Sequence, residues 1–124
     1  MTTFLVSAFL FLHGFVHLRV WLARPGGNEP DPRHSWALSR ADGPGTRTVG
    51  AVAVGLAAVT AMLYFFAGIA ATVHSGTWPV AAFLAACAGL LLKILWFNPW
   101  LSLGVLLDAG VLAAVLAQWP ASMH

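Results

Sequence analysis

The chain has 124 residues, of which 60% are hydrophobic and only 8% charged, with a formal net charge of +2 and a strongly positive mean hydropathy of +0.83. A water-soluble domain of this length cannot hide that much apolar surface, so lipid must serve as part of the solvent. Five arginines and one lysine, scattered along the chain, form no basic stripe, and nucleic acid is excluded as an expected partner.

Runs of about twenty apolar residues predict an all-α membrane protein, a four-transmembrane-helix bundle forming one domain over residues 1–124, with spans at 3–22, 48–73, 78–97 and 99–119. The first run lacks a basic leader and a small-residue cleavage site and carries histidines, so it is read as a retained span. Between the first two spans, residues 23–47 are rich in Pro, Gly and charge and read as a loop with at most a short helix around 33–40. Pro79 opens the third helix, Asn98 caps the fourth with Pro99 at its first position, and Pro120 closes it. The third and fourth helices are then antiparallel neighbours across a tight turn.

Arg24, Arg33, Arg40 and Arg47 fall in the first loop and Lys93 near the third connection, whereas residues 73–77 carry no Lys or Arg. The cationic bias makes those two connections cytoplasmic and places both termini outside. Trp21, Trp96 and Trp100 are expected as an inner aromatic belt, Trp78 and Trp119 as an outer one, and Trp36 on the membrane surface. Small residues four apart (Ala51 and Gly55, Ala57 and Ala61, Ala81 with Ala85 and Gly89) predict close helix packing, with area left over for another chain. Cys87, the single cysteine, forms no intrachain disulfide and reads as a small apolar packing residue. The preference for Ala, Val, Gly and Arg over Ile and Lys is what a GC-rich bacterial genome encodes, which points to a bacterial cytoplasmic (inner) membrane.

Ionisable groups within the spans need a partner or a task, and the sequence places His13, His17, Arg19, Lys93 and Asp108 there. At about 1.5 Å rise per residue, His13 and Asp108 share a depth roughly 12–13 Å from the inner helix ends, and His17 with Lys93 forms a second layer roughly 6–8 Å from them. His13 and His17, four apart, project from one face, with Gly14 leaving room beside them. Gly104 stands one turn before Asp108. Arg19 points away and is expected to snorkel to headgroups.

Three readings of His13, His17, Lys93 and Asp108 stay open. The cluster is a polar tie between helices one, three and four. Or it is a proton-linked carrier's pathway, with His17 connecting it to the cytoplasm. Or it is a transition-metal site with His13, His17 and Asp108 as ligands. Haem is not expected, since His74 lies roughly 20 Å from His13 by span length. His34 and His124 read as solvated. No nucleophile and base, phosphate loop or paired carboxylates point to catalysis, and Ser7, Thr60 and Ser102 read as packing hydroxyls. The chain is therefore read as a non-enzymatic membrane component surrounded by lipid, an accessory subunit beside other membrane proteins or a homo-oligomer.

The run from His13 to Leu18, His-Gly-Phe-Val-His-Leu, resembles the first span of a group of small, largely uncharacterised bacterial membrane proteins with a His-Gly-x-x-His-Leu signature. The run from Trp100 to Asp108 resembles that group's placement of an aspartate early in the last span. The plan of four spans is broadly similar to DoxX-like membrane proteins, a likeness of architecture that implies no activity.

Overall fold

A chain of Ala, Leu, Val and Phe in lipid must satisfy its backbone within each segment, and the helix does so. The structure, a computed structural model, describes residues 1–22, 31–38 and 45–124. It is an all-α bundle of α1 (Thr2–Leu22), α2 (Thr46–Thr72), α3 (Trp78–Leu95) and α4 (Ser102–Leu116), with 3-10 turns at Pro99–Leu101 and Ala121–Met123 and no strand among the described residues. α1, α2 and α3 are long and apolar enough to cross a membrane. α4 has 15 residues, shorter than the expected 99–119 span. At its start Pro99–Leu101 winds as a 3-10 turn closed by Leu101 N–H donating to the Asn98 carbonyl, and at its end Gln118 takes a left-handed φ of 51°.

Helices adjacent in sequence pack together, α1 on α2, α2 on α3 and α3 on α4, while α1 and α4 stand further apart. Close approach is made by alanine: Ala53, Ala57 and Ala61 of α2 and Ala82, Ala85 and Ala86 of α3 are all fully buried. The large apolar side chains are turned outward instead, among them Leu12, Phe15, Met62, Phe66, Leu103 and Leu106. In water such a surface would aggregate; in lipid it is the solvated face. Ala51 and Gly55 lie on that outer face, and so does Cys87, which is exposed rather than packed inside.

Two apolar cores lie along the bundle. One gathers Leu10, Ala67, Trp78, Ala82 and Val111; the other, at the loop end, gathers Trp21, Val49, Leu92, Trp96 and Leu101. Trp21, Trp96 and Trp78 are therefore core residues, not belts at the headgroups. Trp21 and Trp96 meet edge to face at 6.3 Å, and the Trp78 indole donates to the Met123 carbonyl at 3.2 Å. Trp119 is exposed, as an outer belt residue would be. The side chain of Trp100 lies outside the described residues, as do Arg24 and Arg40.

Residues 31–38 are turns, where a short helix around 33–40 is expected; residues 39 and 40 lie outside the described residues. The cause is Ser35, whose hydroxyl accepts the Ala37 and Leu38 N–H groups at 3.3 and 3.2 Å and itself donates to the Leu95 carbonyl. With Trp36 Nε1 donating to the Ile94 carbonyl at 2.6 Å and Trp96 Nε1 to the Pro32 carbonyl at 2.8 Å, this strap is fastened to the end of α3.

Candidate functional site

Between the two apolar cores lies a polar cluster centred on Asp108 of α4, which is fully buried. Its Oδ1 accepts from His13 Nε2 of α1 at 2.7 Å and from the Tyr64 hydroxyl of α2 at 2.5 Å. Its Oδ2 accepts from Lys93 Nζ of α3 at 2.5 Å. One carboxylate thus takes a donor from each of the other three helices.

His17 completes the network. Its Nδ1 donates to the His13 backbone carbonyl one turn back at 2.9 Å, which leaves a lone pair on Nε2, and that nitrogen accepts from Lys93 Nζ at 2.7 Å. The tautomers follow from these partners: hydrogen on Nδ1 of His17 and on Nε2 of His13. One carboxylate and one ammonium are in direct contact, so their charges offset each other. An unpaired charge at this depth would be strongly unfavourable.

Glycine makes the room. A Cβ on Gly89, one turn before Lys93, would sit 2.5 Å from Asp108 Oδ2 and 3.1 Å from His17 Nε2. One on Gly104 would sit 2.7 Å from Lys93 Cε, and one on Gly14 3.0 Å from Tyr64 Cβ. The gap beside Gly14 therefore holds α2. The His13 and His17 rings meet edge to face at 4.8 Å, and Tyr64 packs against both, at 4.7 and 5.6 Å.

His13, His17, Lys93 and Asp108, singled out in the sequence, all come together. The two expected layers are one, because the long Lys93 side chain bonds Asp108 and His17 at once. Sequence reasoning missed Tyr64, although a lone tyrosine in mid-span, away from the interface where its hydroxyl would find water, calls for a buried partner. His17 is buried with both its ring nitrogens engaged, and it lines a cavity together with Val16, Val20 and Leu101. Arg19 is exposed, as expected of a snorkelling residue. His34 sits in the strap, donating or accepting across 2.9 Å with Asp31 Oδ2, and His74 is in the exposed α2–α3 turn. His124 lies against Trp78 at 5.2 Å.

His13, His17 and Asp108 offer one ligand atom each within 4.8 Å of one another, a spacing that could hold a metal ion. The hydroxyls of Thr60 and Ser102 bond carbonyls of their own segments, Leu56 and Pro99, each at 2.8 Å. No family model matches the chain, and no curated protein or solved structure matches it.

Proposed function

We propose that this chain is a non-enzymatic membrane component whose Asp108-centred cluster locks four helices into one unit, and that it works as an accessory subunit of a membrane assembly or as a homo-oligomer. The observation that carries the reading is closure: His13, Tyr64 and Lys93 occupy the Asp108 carboxylate from three helices, and His17 occupies the remaining reach of the ammonium. Asp108, Lys93, His17 and Tyr64 are committed to one another and so are not free to act as nucleophile or base, and His13 Nδ1 is the ring nitrogen of the cluster left open. The bacterial cytoplasmic membrane, with both termini outside and the strap inside, is the setting that the arginine bias supports.

Native mass spectrometry of the full chain extracted in mild detergent tests this. A stoichiometric partner chain or a defined homo-oligomer is the expected result, and a folded monomer alone would sink it.

A metal site is the second reading, favoured by the 4.8 Å spacing of its ligand atoms. Against it, the Lys93 ammonium sits where a cation would, on His17 Nε2 and Asp108 Oδ2. Metal analysis of the same sample decides: stoichiometric metal lost in His13→Ala and His17→Ala would establish the ligand role over the tie.

A further inference from the structure

Where α1 and α4 stand apart, two adjoining cavities follow the seam: one of about 550 Å³ beside the cluster and one of about 380 Å³ extending to Trp78 and Trp119. Phe9 and Leu107 line both. Each is of a size that accommodates a small ligand, a range of roughly 300–1,000 Å³. The second is lined by apolar residues and Gly110; in the first, the polar side chains among the described residues are His13, His17 and Lys93.

Hydrogen-bonding capacity separates those three. His17 has both ring nitrogens engaged, and Lys93 Nζ serves Asp108 and His17 with a long reach to the Gly89 carbonyl at 3.5 Å. His13 gives Nε2 to Asp108, and its Nδ1 makes no hydrogen bond among the described residues; the fully enclosed side-chain atom without a partner there is Ser7 Oγ, not His13 Nδ1. The His13 side chain is 5% exposed, so a polar atom without a protein partner belongs to a side chain more than nine-tenths buried that lines the cavity. A neutral imidazole with hydrogen on Nε2 presents a lone pair at Nδ1, and a lone pair calls for a donor. An anion would meet an ammonium already neutralised by Asp108, and a cation would meet that ammonium itself.

We propose that the α1/α4 seam binds a single-chain lipid alcohol, its hydroxyl donating to His13 Nδ1 and its hydrocarbon lying past Phe9 and Leu107 toward Trp78. This occupant satisfies both halves of the seam: one neutral donor for the open His13 acceptor, and an apolar chain for the apolar walls beyond the cluster. The inference is independent of whether the chain is a subunit.

The test uses the full chain in mild detergent, titrated with farnesol and with farnesyl methyl ether, which keeps the chain and lacks the donor proton. Farnesol is expected to bind once per chain by native mass spectrometry, about tenfold more tightly than the ether, the loss typical of one buried hydrogen bond. In ¹⁵N-histidine spectra the His13 Nδ1 resonance should move with farnesol and not with the ether. Leu107→Trp, which puts bulk at the junction of the two cavities, should abolish binding. Equal affinity for alcohol and ether would mean hydrocarbon occupancy only and overturn the assignment. So would absence of saturable binding, persistent binding in L107W, or a second copy of the chain found seated in the seam.

Discussion

Asp108 is fully buried, so each of its partners carries more than an exposed pair would. Lys93→Met removes the ammonium and leaves the carboxylate with the His13 and Tyr64 donors; the expected cost is about 3–5 kcal/mol, the usual consequence of breaking a buried ion pair. Replacing Asp108 by Leu in the same chain removes the stranded charge, so the double variant should be less destabilised than the sum of the singles, and unfolding of all three variants in the same detergent measures it. Additive losses would mean that the pair is not coupled. Steric room is a separate requirement: Gly89→Ala puts a methyl 2.5 Å from a carboxylate oxygen already held by Lys93, and a loss of about 1–3 kcal/mol is expected, whereas Gly55→Ala, with nothing within 4 Å, should not lower the melting temperature. The four ionisable members were legible in the sequence because each is anomalous in an apolar run. Tyr64 was not, because an aromatic ring blends into such a run and only its hydroxyl betrays it. The single layer was hidden for another reason: residue counting locates Cα atoms, while the Lys93 ammonium acts several ångströms from its own.

At the scale of the element, the strap and the end of α3 depend on each other. A helix leaves its last carbonyls without intrahelical donors, and Ser35 and Trp36 supply donors to Leu95 and Ile94. Ser35→Ala should cost about 1 kcal/mol and speed hydrogen exchange in the last turn of α3, with α2 unaffected. Unchanged exchange there would show that the strap only rests on the helix. Acid should loosen the strap as well. Donation from the Arg33 backbone N–H, at 2.9 Å, holds the Asp31 carboxyl below its ordinary value of 3.8, with the His34 contact adding to it. A carboxyl depressed in the folded state contributes stability that is complete above the unfolded value and is lost as pH falls through the folded one. Trp36 fluorescence should therefore change as pH falls below the ordinary carboxylate range, and Asp31→Asn should remove that change. The sequence marked this segment as a loop from its Pro, Gly and charge. It could not foresee turns over a helix, because that choice rests on Ser35 finding a carbonyl 60 residues away.

For the molecule as a whole, the number of apolar runs was readable and the reach of the last one was not. Hydropathy counts residues regardless of backbone, and residues 99–119 score as a full span although Pro99–Leu101 and the left-handed Gln118 confine the α-helix to 15 residues. Those 15 residues rise about 22 Å and the 3-10 turn adds about 6 Å, against a hydrocarbon core of about 30 Å. α2, with 27 residues, rises about 40 Å and must tilt to fit the same slab. The bundle cannot relieve both by sliding, since Asp108 is pinned at one depth to His13, Tyr64 and Lys93. A thicker bilayer therefore drags the ends of α4 into hydrocarbon and strains the cluster, while a thinner one is met by further tilt of the longer helices. Reconstituted into phosphatidylcholines of increasing acyl length, the chain should be most stable in the thin bilayers and lose fractions of a kcal/mol per ångström of added thickness. Lys93→Met should flatten that dependence, because α4 without its strongest tether can shift along the bundle. A stability that rises with thickness, or a slope that K93M leaves unchanged, would mean that the cluster does not fix the depth of the fourth helix.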